Sequence, residues 1–267
     1  IHTMAKKFKV DNQDGVIDPV GMYGVRLEGD FHLILADKGV CQNITRCLER
    51  VGLKCEAFIF MPVGLSSAVL HSDERQQGVV LVDMGKGTTD FSVHHDGHVV
   101  FSGSIPLGGY SVTRDIAHKL KVDNDIAEKM KIVIANTPSE QVQFDNNITS
   151  DDILNVISAR YLQIFKLIER SIMDKGLKNN IGRGFVLCGG ASRYKILPEI
   201  ISDDMGYACR LGGLIQDDMP CLSQSWLSAV GQVYYVQERL KNNHFSGDIN
   251  PCRGAFKMIQ RWMEVYF

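Results

Sequence analysis

The most informative segment of this sequence is Leu81-Val82-Asp83-Met84-Gly85-Lys86-Gly87-Thr88-Thr89-Asp90. Val79 to Met84 is short, apolar and β-branched, which predicts a buried strand that carries Asp83 close to its end. Thr89 to His94 predicts a second strand directly after the glycine turn. The sequence therefore places a carboxylate and a glycine turn together at one end of a sheet.

This turn has the composition of a phosphate-binding loop. Gly85 and Gly87 allow a tight hairpin whose backbone N–H groups face a ligand, and Thr88 and Thr89 add hydroxyl donors. Asp83 can hold a hydrated Mg²⁺ beside the phosphates. A plain β-hairpin turn explains the two glycines equally well, so this stretch alone leaves both interpretations open.

A second strand–glycine unit lies about 100 residues further on, at Phe185-Val186-Leu187-Cys188-Gly189-Gly190-Ala191-Ser192-Arg193. A flat base can lie on Gly189 and Gly190 with the guanidinium of Arg193 stacked against it. The alternative is a tight strand-to-helix turn with no ligand, and taken alone this unit favours that alternative. Two such units in one chain are a stronger indication of a ligand site than either one.

The rest of the pattern predicts an α/β fold. Predicted strands cover 31–36, 56–61 and 99–105, and predicted helices cover 41–51, 111–120, 123–134, 150–175 and 224–241.

Composition excludes several classes of protein. A net charge of −2 over 267 residues gives no basic field for nonspecific nucleic-acid binding. No apolar run reaches the roughly 18 residues of a spanning helix. Seven cysteines without a CxxC pair argue against a zinc site or a disulfide framework, and favour a reducing cytoplasm.

The two glycine units resemble the phosphate and adenosine motifs of the ATPase superfamily shared by actin, sugar kinases and heat-shock chaperones. Within it the chain resembles the FtsA family of bacterial cell-division proteins. The stretches that carry this resemblance are Asp11–Gly15, Pro19–Met22, Gly24–Leu27, Leu81–Asp90, Ile105–Gly109, Val112–Ala117, Leu187–Ala191 and Ser228–Gly231. They follow the family order over nearly the whole chain.

The resemblance implies ATP and Mg²⁺ as cofactors and adds residues to the site. Glu128 and Lys131 match an acidic and a basic residue that reach the ribose and adenine, and their spacing puts both on one helix face. A solvated charge pair is the alternative for these two residues. Gly108 and Gly109 match a turn on the phosphate side, and Ala191 completes the adenosine turn.

The resemblance also implies a division into subdomains. Subdomain 1C covers 1–57, remnants of 1A cover 58–75 and 222–240, 2A covers 76–118 and 182–221, a shortened 2B covers 119–181, a linker covers 241–253, and a membrane-targeting helix covers 254–267.

The chain departs from the family pattern in two places. No Asp-x-Gly hairpin of the first phosphate loop precedes residue 81, so we expect a chain that starts inside 1C and lacks most of 1A. Phe60-Met61-Pro62 offers no polar group to orient water where superfamily hydrolases have one, so we expect at most weak ATPase activity.

The family docks the C-terminal peptide of the tubulin-like protein FtsZ on subdomain 2B. Arg160 and Tyr161 match family positions near that surface. An exposed helical arginine is the alternative interpretation of Arg160, and the polar stretch 135–152 is shorter here than the corresponding part of 2B.

The last residues, 254–267, form an amphipathic pattern when placed on a helix. Lys257, Gln260, Arg261 and Glu264 fall on one side, and the apolar residues fall on the other. The predicted membrane-contacting residues are Phe256, Ile259, Arg261, Trp262, Met263 and Phe267. Such a helix can lie in a bilayer interface or dock on the protein's own core, and the resemblance favours the membrane.

Together these features predict an ATP-binding tether that links FtsZ filaments to the cytoplasmic face of the inner membrane at the division septum. The expected partners are FtsZ, further copies of itself, later division proteins and membrane lipid, with no nucleic acid. A degenerate actin-fold interaction module without nucleotide binding is the first alternative. A small-molecule kinase of the same superfamily is the second.

Overall fold

The computed structural model describes residues 1–137, 144, 148–215 and 224–241. The strands are β1 (His2–Val10), β2 (Gln13–Val16), β3 (Leu27–Ile34), β4 (Val79–Met84), β5 (Thr89–His95), β6 (His98–Ile105), β7 (Phe185–Cys188) and β8 (Cys209–Leu211). The helices are α1 (Lys38–Arg50), α2 (Met61–Val69), α3 (Ser72–Gln77), α4 (Gly109–Leu120), α5 (Asn124–Asn136), α6 (Ser150–Met173), α7 (Leu197–Met205) and α8 (Gln224–Lys241).

The main sheet has five strands in the order β6-β5-β4-β7-β8. Its strand β4 runs parallel to β7 and antiparallel to β5. Alternate residues of β4 enter two different cores, because side chains of a strand point to opposite faces. Val80 and Val82 join a cluster formed with helices α4 to α7, and Leu81 joins a cluster with α2 and α8. The sheet is therefore covered by helices on both faces.

A second, three-stranded antiparallel sheet has the order β2-β1-β3 and its own small core around Phe8 and Val10. Ile34 of this sheet packs with Val99 of β6 and with residues of α2 and α8. The imidazole Nε2 of His2 accepts a hydrogen bond from the backbone N–H of Phe60 at 2.9 Å. These contacts join the small sheet to the main one.

Most predicted elements are confirmed. The bounds of β4, β7 and α8 are those predicted, and α1, α4, α5 and α6 differ by a few residues. The predicted strand at 56–61 is wrong, because Met61 starts α2 with Pro62 in its first turn, and the N–H of Phe60 is taken by His2 instead of a strand ladder. Helices α3 and α7 and the strands β1, β2 and β8 fall where no element is predicted.

None of the described helices is long and apolar enough to cross a bilayer. The predicted membrane-targeting helix at 254–267 and residues 242–253 of the predicted linker lie outside the described residues.

Candidate nucleotide site

The glycine turn between β4 and β5 is held from two sides. Its own closing hydrogen bond runs from the N–H of Gly85 to the carbonyl of Thr88 at 2.9 Å. The first N–H groups of α4 then donate back to the turn: Gly109 to the carbonyl of Gly85 at 3.0 Å, and Tyr110 to that of Lys86 at 2.8 Å. Helix α4 therefore fixes the conformation of the turn.

The two threonines of this turn have different environments. Thr88 is exposed, as a phosphate donor has to be. Thr89 is fully buried, and its hydroxyl donates to the carbonyl of Leu107 at 2.8 Å. The prediction of a ligand-facing Thr89 hydroxyl is therefore wrong in this arrangement, because that hydroxyl ties the turn to the segment before α4.

Asp83 lies at the end of β4 opposite Asp90 of β5, in register across the two strands. Burial, and after it the charge of Asp90, raises the pKa of Asp83 from 3.8 to about 6. The Ser228 hydroxyl of α8 lies 3.4 Å from both carboxylate oxygens and acts in the opposite direction, but it does not outweigh these two causes. Neither aspartate has an ion-pair partner among the described residues. Two adjacent carboxylates without a cation fit a hydrated Mg²⁺.

No group of three or more His, Cys, Asp or Glu able to hold a metal occurs within the described ranges. A magnesium ion at Asp83 would therefore take its remaining ligands from water and from ligand phosphates, which is how Mg²⁺ is usually bound.

The second glycine unit lies beside the first, because β7 is parallel to β4 and Cys188 is in register with Asp83. Gly189 has a φ of +90°, and a Cβ there would lie 2.5 Å from the carbonyl oxygen of Met84. Only glycine allows the two strand ends to approach this closely. Gly190 to Arg193 then forms a 3₁₀ turn, and its Ala191 carbonyl accepts a hydrogen bond from the Tyr161 hydroxyl of α6.

Glu128 and Lys131 of α5 form a hydrogen-bonded group with Thr113 of α4. The Lys131 ammonium donates to Glu128 Oε2 at 2.7 Å, to Thr113 Oγ1 at 2.8 Å and to the carbonyl of Gly109 at 3.0 Å. Thr113 in turn donates to Glu128. Burial alone would raise the pKa of Glu128, but the hydrogen bonds from Lys131 and Thr113 outweigh it and lower that pKa.

These elements enclose a cavity of about 250 Å³. Six of the predicted ligand residues line it: Gly109, Glu128, Lys131, Gly190, Ala191 and Arg193. The predicted residues Asp83, Gly85, Gly87, Thr88, Thr89, Gly108 and Gly189 lie outside this lining; they form or support the adjoining strand ends and turns. The structure thus brings most residues of the expected base side into one cavity, together with Gly109 of the expected phosphate side. The other residues of the expected phosphate side lie in the adjoining turns and strand ends.

Several residues of this cavity are not among the predicted ligand residues. Lys86, Ile132, Ala135, Tyr161 and Tyr194 also line it. Ala135 lies seven residues after Glu128 and four after Lys131, so helical spacing alone puts it on the same face of α5. Tyr194 gives no comparable signal.

Arg160 and Tyr161 of α6 face different surroundings. Tyr161 is 3% exposed, and its hydroxyl donates to the carbonyl of Ala191 at 2.8 Å. The prediction that Tyr161 belongs to a partner surface is therefore wrong; it is part of the cavity wall. Arg160 lines a separate groove of about 600 Å³ between α4, α5 and α6, where its guanidinium bonds both carboxylate oxygens of Asp115.

The predicted membrane-contacting residues Phe256, Ile259, Arg261, Trp262, Met263 and Phe267 lie outside the described residues.

Comparison with solved structures confirms the predicted actin-like ATPase fold. MreB5 of Spiroplasma citri, solved bound to ADP, superposes with a TM-score of 0.54 at 16% identity, over 91% of this chain and 89% of that one. A PilM–PilN type IV pilus biogenesis complex gives a TM-score of 0.55 at 17% identity, over 81% of this chain and 60% of that one. At these identities the likeness concerns the fold alone.

Sequence comparison identifies the family. The profile described as "Cell division protein FtsA" matches residues 80–231, and the profile "SHS2 domain inserted in FTSA" matches residues 1–35. The cell-division protein FtsA of Borreliella burgdorferi is 32% identical over 263 residues, which is 91% of this chain and 63% of that protein. The FtsA of Pseudomonas aeruginosa is 32% identical over 79% of this chain and 54% of that protein.

The chain thus spans between half and two thirds of the length of these two relatives. The family profile covers more than half of the chain and includes both glycine units and the acidic and basic pair of α5. The chain belongs to the FtsA family of cell-division proteins.

Proposed function

We propose that the chain binds an adenine nucleotide with Mg²⁺ as part of a cell-division tether. The observation that carries this proposal is the cavity of about 250 Å³. It is lined on one side by the Gly190–Ala191 turn, on another by Glu128 and Lys131, and at its edge by Lys86 of the β4–β5 glycine turn. Its chemistry suits a nucleotide, since apolar walls such as Ile132 can contact a base while glycines allow close approach of the backbone.

The charge balance of the cavity favours an anionic ligand. Lys86, Lys131 and Arg193 line it together with a single carboxylate, Glu128. Lys86 and Arg193 have no ion-pair partner among the described residues. A bound phosphate would provide negative charge for Lys86 and Arg193, and Mg²⁺ beside Asp83 and Asp90 would neutralise the rest of the charge on the phosphates.

Nucleotide binding is tested by titrating the full chain with a fluorescent ATP analogue, with Mg²⁺ and with EDTA. We expect saturable binding that Mg²⁺ strengthens and that Asp83→Ala weakens. Asp203→Ala, an exposed aspartate of α7 away from the cavity, is the control and should bind like the wild type. Absence of saturable binding would instead support the degenerate interaction module.

The tether proposal adds the membrane, FtsZ and further copies of the chain. It rests on membership of the FtsA family, on the amphipathic pattern at 254–267, and on the groove beside Arg160 as the surface for the FtsZ peptide. The site of action would be the cytoplasmic face of the inner membrane at the septum, where assembled copies of the chain would also recruit later division proteins. With no water-orienting side chain at Phe60–Pro62, slow or absent hydrolysis is expected.

Vesicle co-sedimentation with FtsZ tests the tether. With anionic lipid, the intact chain should bring FtsZ into the pellet, and a chain that ends at Lys241 should not. Trp262→Glu puts a charge on the apolar side of the predicted helix and should abolish pelleting, whereas Gln260→Glu puts the same charge on the polar side and should reduce it only slightly. Equal behaviour of all four proteins would contradict a membrane anchor in this tail.

A further inference from the structure

Lys86 stands between the two glycines of the β4–β5 turn, in the position nearest to the cavity. Its carbonyl accepts the N–H of Tyr110, so its backbone is fixed to α4. Its side chain is exposed and lines the cavity. A cationic side chain is therefore attached to a rigid turn at the junction between the base side and the phosphate side of the proposed site.

The ammonium of Lys86 has no strong partner in this structure. It lies over the ring of Tyr110, 5.7 Å from the centroid, and has no ion pair within the described part of the chain. An exposed cation–π contact of this kind contributes only about 0.5–1 kcal/mol. The positive charge of Lys86 also contributes to the lowered pKa of Glu128, as the smallest of its causes, which places it within electrostatic reach of the cavity.

The other lysine of the cavity is already engaged. Lys131 uses its three ammonium donors on Glu128, Thr113 and the carbonyl of Gly109. An ammonium has three donors, so a ligand contact by Lys131 would require one of these bonds to break. Lys86 can reach a ligand at the smaller cost of leaving an aromatic ring.

The N-terminus of α4 offers little to a phosphate. Its first N–H groups, those of Gly109 and Tyr110, donate to carbonyls of the turn, and that of Ser111 donates to the carbonyl of Gly108. A helix whose first donors are satisfied internally loses much of its ability to bind an anion. A lysine side chain on the turn can supply a donor to an anion that the helix N-terminus cannot.

We propose that Lys86 is a phosphate-directed cation: on nucleotide binding its ammonium leaves the Tyr110 ring and contacts the terminal phosphates, taking over part of the charge neutralisation that Mg²⁺ provides. This proposal rests on the nucleotide site proposed above. Its consequence is that the chain retains nucleotide binding when Mg²⁺ is removed.

The experiment measures the dissociation constant of the fluorescent ATP analogue for the full chain, with Mg²⁺ and with EDTA. Wild type and Lys86→Arg should lose about tenfold or less in affinity when EDTA replaces Mg²⁺. Lys86→Gln replaces the ammonium by a neutral amide on a side chain one atom shorter; it should bind only a few-fold more weakly in Mg²⁺, and roughly tenfold or more weakly than wild type in EDTA. Equal affinities of Lys86→Gln and wild type in both buffers would overturn the proposal.

Tyr110 provides a second, opposite readout. Tyr110→Leu removes the ring that holds the resting ammonium, so affinity in EDTA should rise about two- to fivefold; in the Lys86→Gln background the same change should have no effect. The proposed movement would be contradicted if Tyr110→Leu bound the analogue more weakly than wild type, or if it raised the affinity equally in the Lys86→Gln background. If the wild type itself shows no saturable binding, the nucleotide site fails and this proposal fails with it, whereas normal binding that ignores Lys86 refutes this proposal alone.

Discussion

The backbone N–H of Gly109 donates to the carbonyl of Gly85 over 3.0 Å, across 24 residues of sequence. This bond joins the start of α4 to the glycine turn and brings Gly108 against the same turn. A Cβ on Gly108 would lie 2.6 Å from the carbonyl oxygen of Gly85 and 2.8 Å from that of Lys86. The contact leaves no room for any side chain at position 108.

Gly108→Ala should therefore destabilise the fold by about 2 kcal/mol or more, because rigid backbone would have to move. Gly87→Ala is the matched control in the same turn: a Cβ there meets nothing within 4 Å and its φ is not in the left-handed region, so its effect should stay within about 0.5 kcal/mol. Urea unfolding measures both variants. Similar losses at the two positions would show that the turn is not clamped by α4.

Asp83→Asn should stabilise the ligand-free protein near neutral pH, by an amount of order 2 kcal/mol. The pKa of Asp83 is about 6 in the folded chain and 3.8 in the reference state, so the folded protein favours the protonated carboxyl and loses stability as the pH rises through 6. Asparagine is neutral at every pH, so its advantage should shrink as the pH falls from 7 towards 4.

The measurement is the midpoint of thermal unfolding as a function of pH, without nucleotide or divalent cations. Asp203→Asn is the exposed control and should follow the wild type. An advantage of Asp83→Asn that stays constant across the pH range would show that its cause is packing and not ionisation. The same substitution should weaken Mg²⁺-dependent nucleotide binding, which separates stability from function at this position.

The sequence allowed β4 and β7 to be predicted, because their apolar runs end abruptly at glycines. That the two strands are neighbours in one sheet is known only from the structure. Glu128 and Lys131 are expected at the site because of the family resemblance; their spacing by itself only puts both side chains on one helix face. The burial of Tyr161 was accessible as well, since Ile157, Tyr161 and Ile164 follow one helical stripe of α6. Its neighbour Arg160 lies about 100° around the helix, so the two residues could not share a surface.

Other features depend on contacts that are distant in sequence. Thr89 is buried because the carbonyl of Leu107 accepts its hydroxyl, and no local pattern indicates this bond. Strand β8 has three residues and exists through pairing with β7. The position of Lys86 over Tyr110 requires the turn and α4 to be joined first.

The pair of Glu128 and Lys131 should show a coupling free energy of roughly 1 kcal/mol in a double-mutant cycle with Glu128→Gln and Lys131→Met. The estimate is modest because the Glu128 side chain is 41% exposed and solvent screens the pair. Lys131→Met should cost more than Glu128→Gln, since it removes the donor from three acceptors. Urea unfolding of the ligand-free protein gives all four values.

Lys54 and Glu56 provide the control cycle, since their side chains are 81% and 58% exposed at 2.8 Å separation. Their coupling should be close to zero in physiological salt. If the coupling free energy of Glu128 and Lys131 were as small as that of Lys54 and Glu56, the first pair would be a solvated charge pair, which is the alternative interpretation of this motif.

Asp115→Asn should strengthen binding of the C-terminal peptide of FtsZ if Arg160 belongs to its docking surface. In the structure the guanidinium of Arg160 is occupied by both oxygens of Asp115, at 2.8 Å for the Nη2–Oδ1 contact, and by the side chain of Gln163. Neutralising Asp115 frees the cation for the terminal carboxylate of the peptide, so affinity should rise several-fold, at a cost of about 1 kcal/mol in stability. Arg160→Ala should lower it in both backgrounds.

Fluorescence anisotropy of a labelled peptide measures this effect, at low and at high salt. Asp123→Asn removes the same charge from the same groove, where Asp123 has no ion pair among the described residues, and so separates release of Arg160 from a general change in potential. Because salt screens the attraction between the peptide carboxylate and a half-buried cation in an open groove, the gain from Asp115→Asn should fall as salt increases. If the two aspartate variants give equal gains, or if Arg160→Ala leaves affinity unchanged, the peptide binds elsewhere and Arg160 serves only to join α6 to α4.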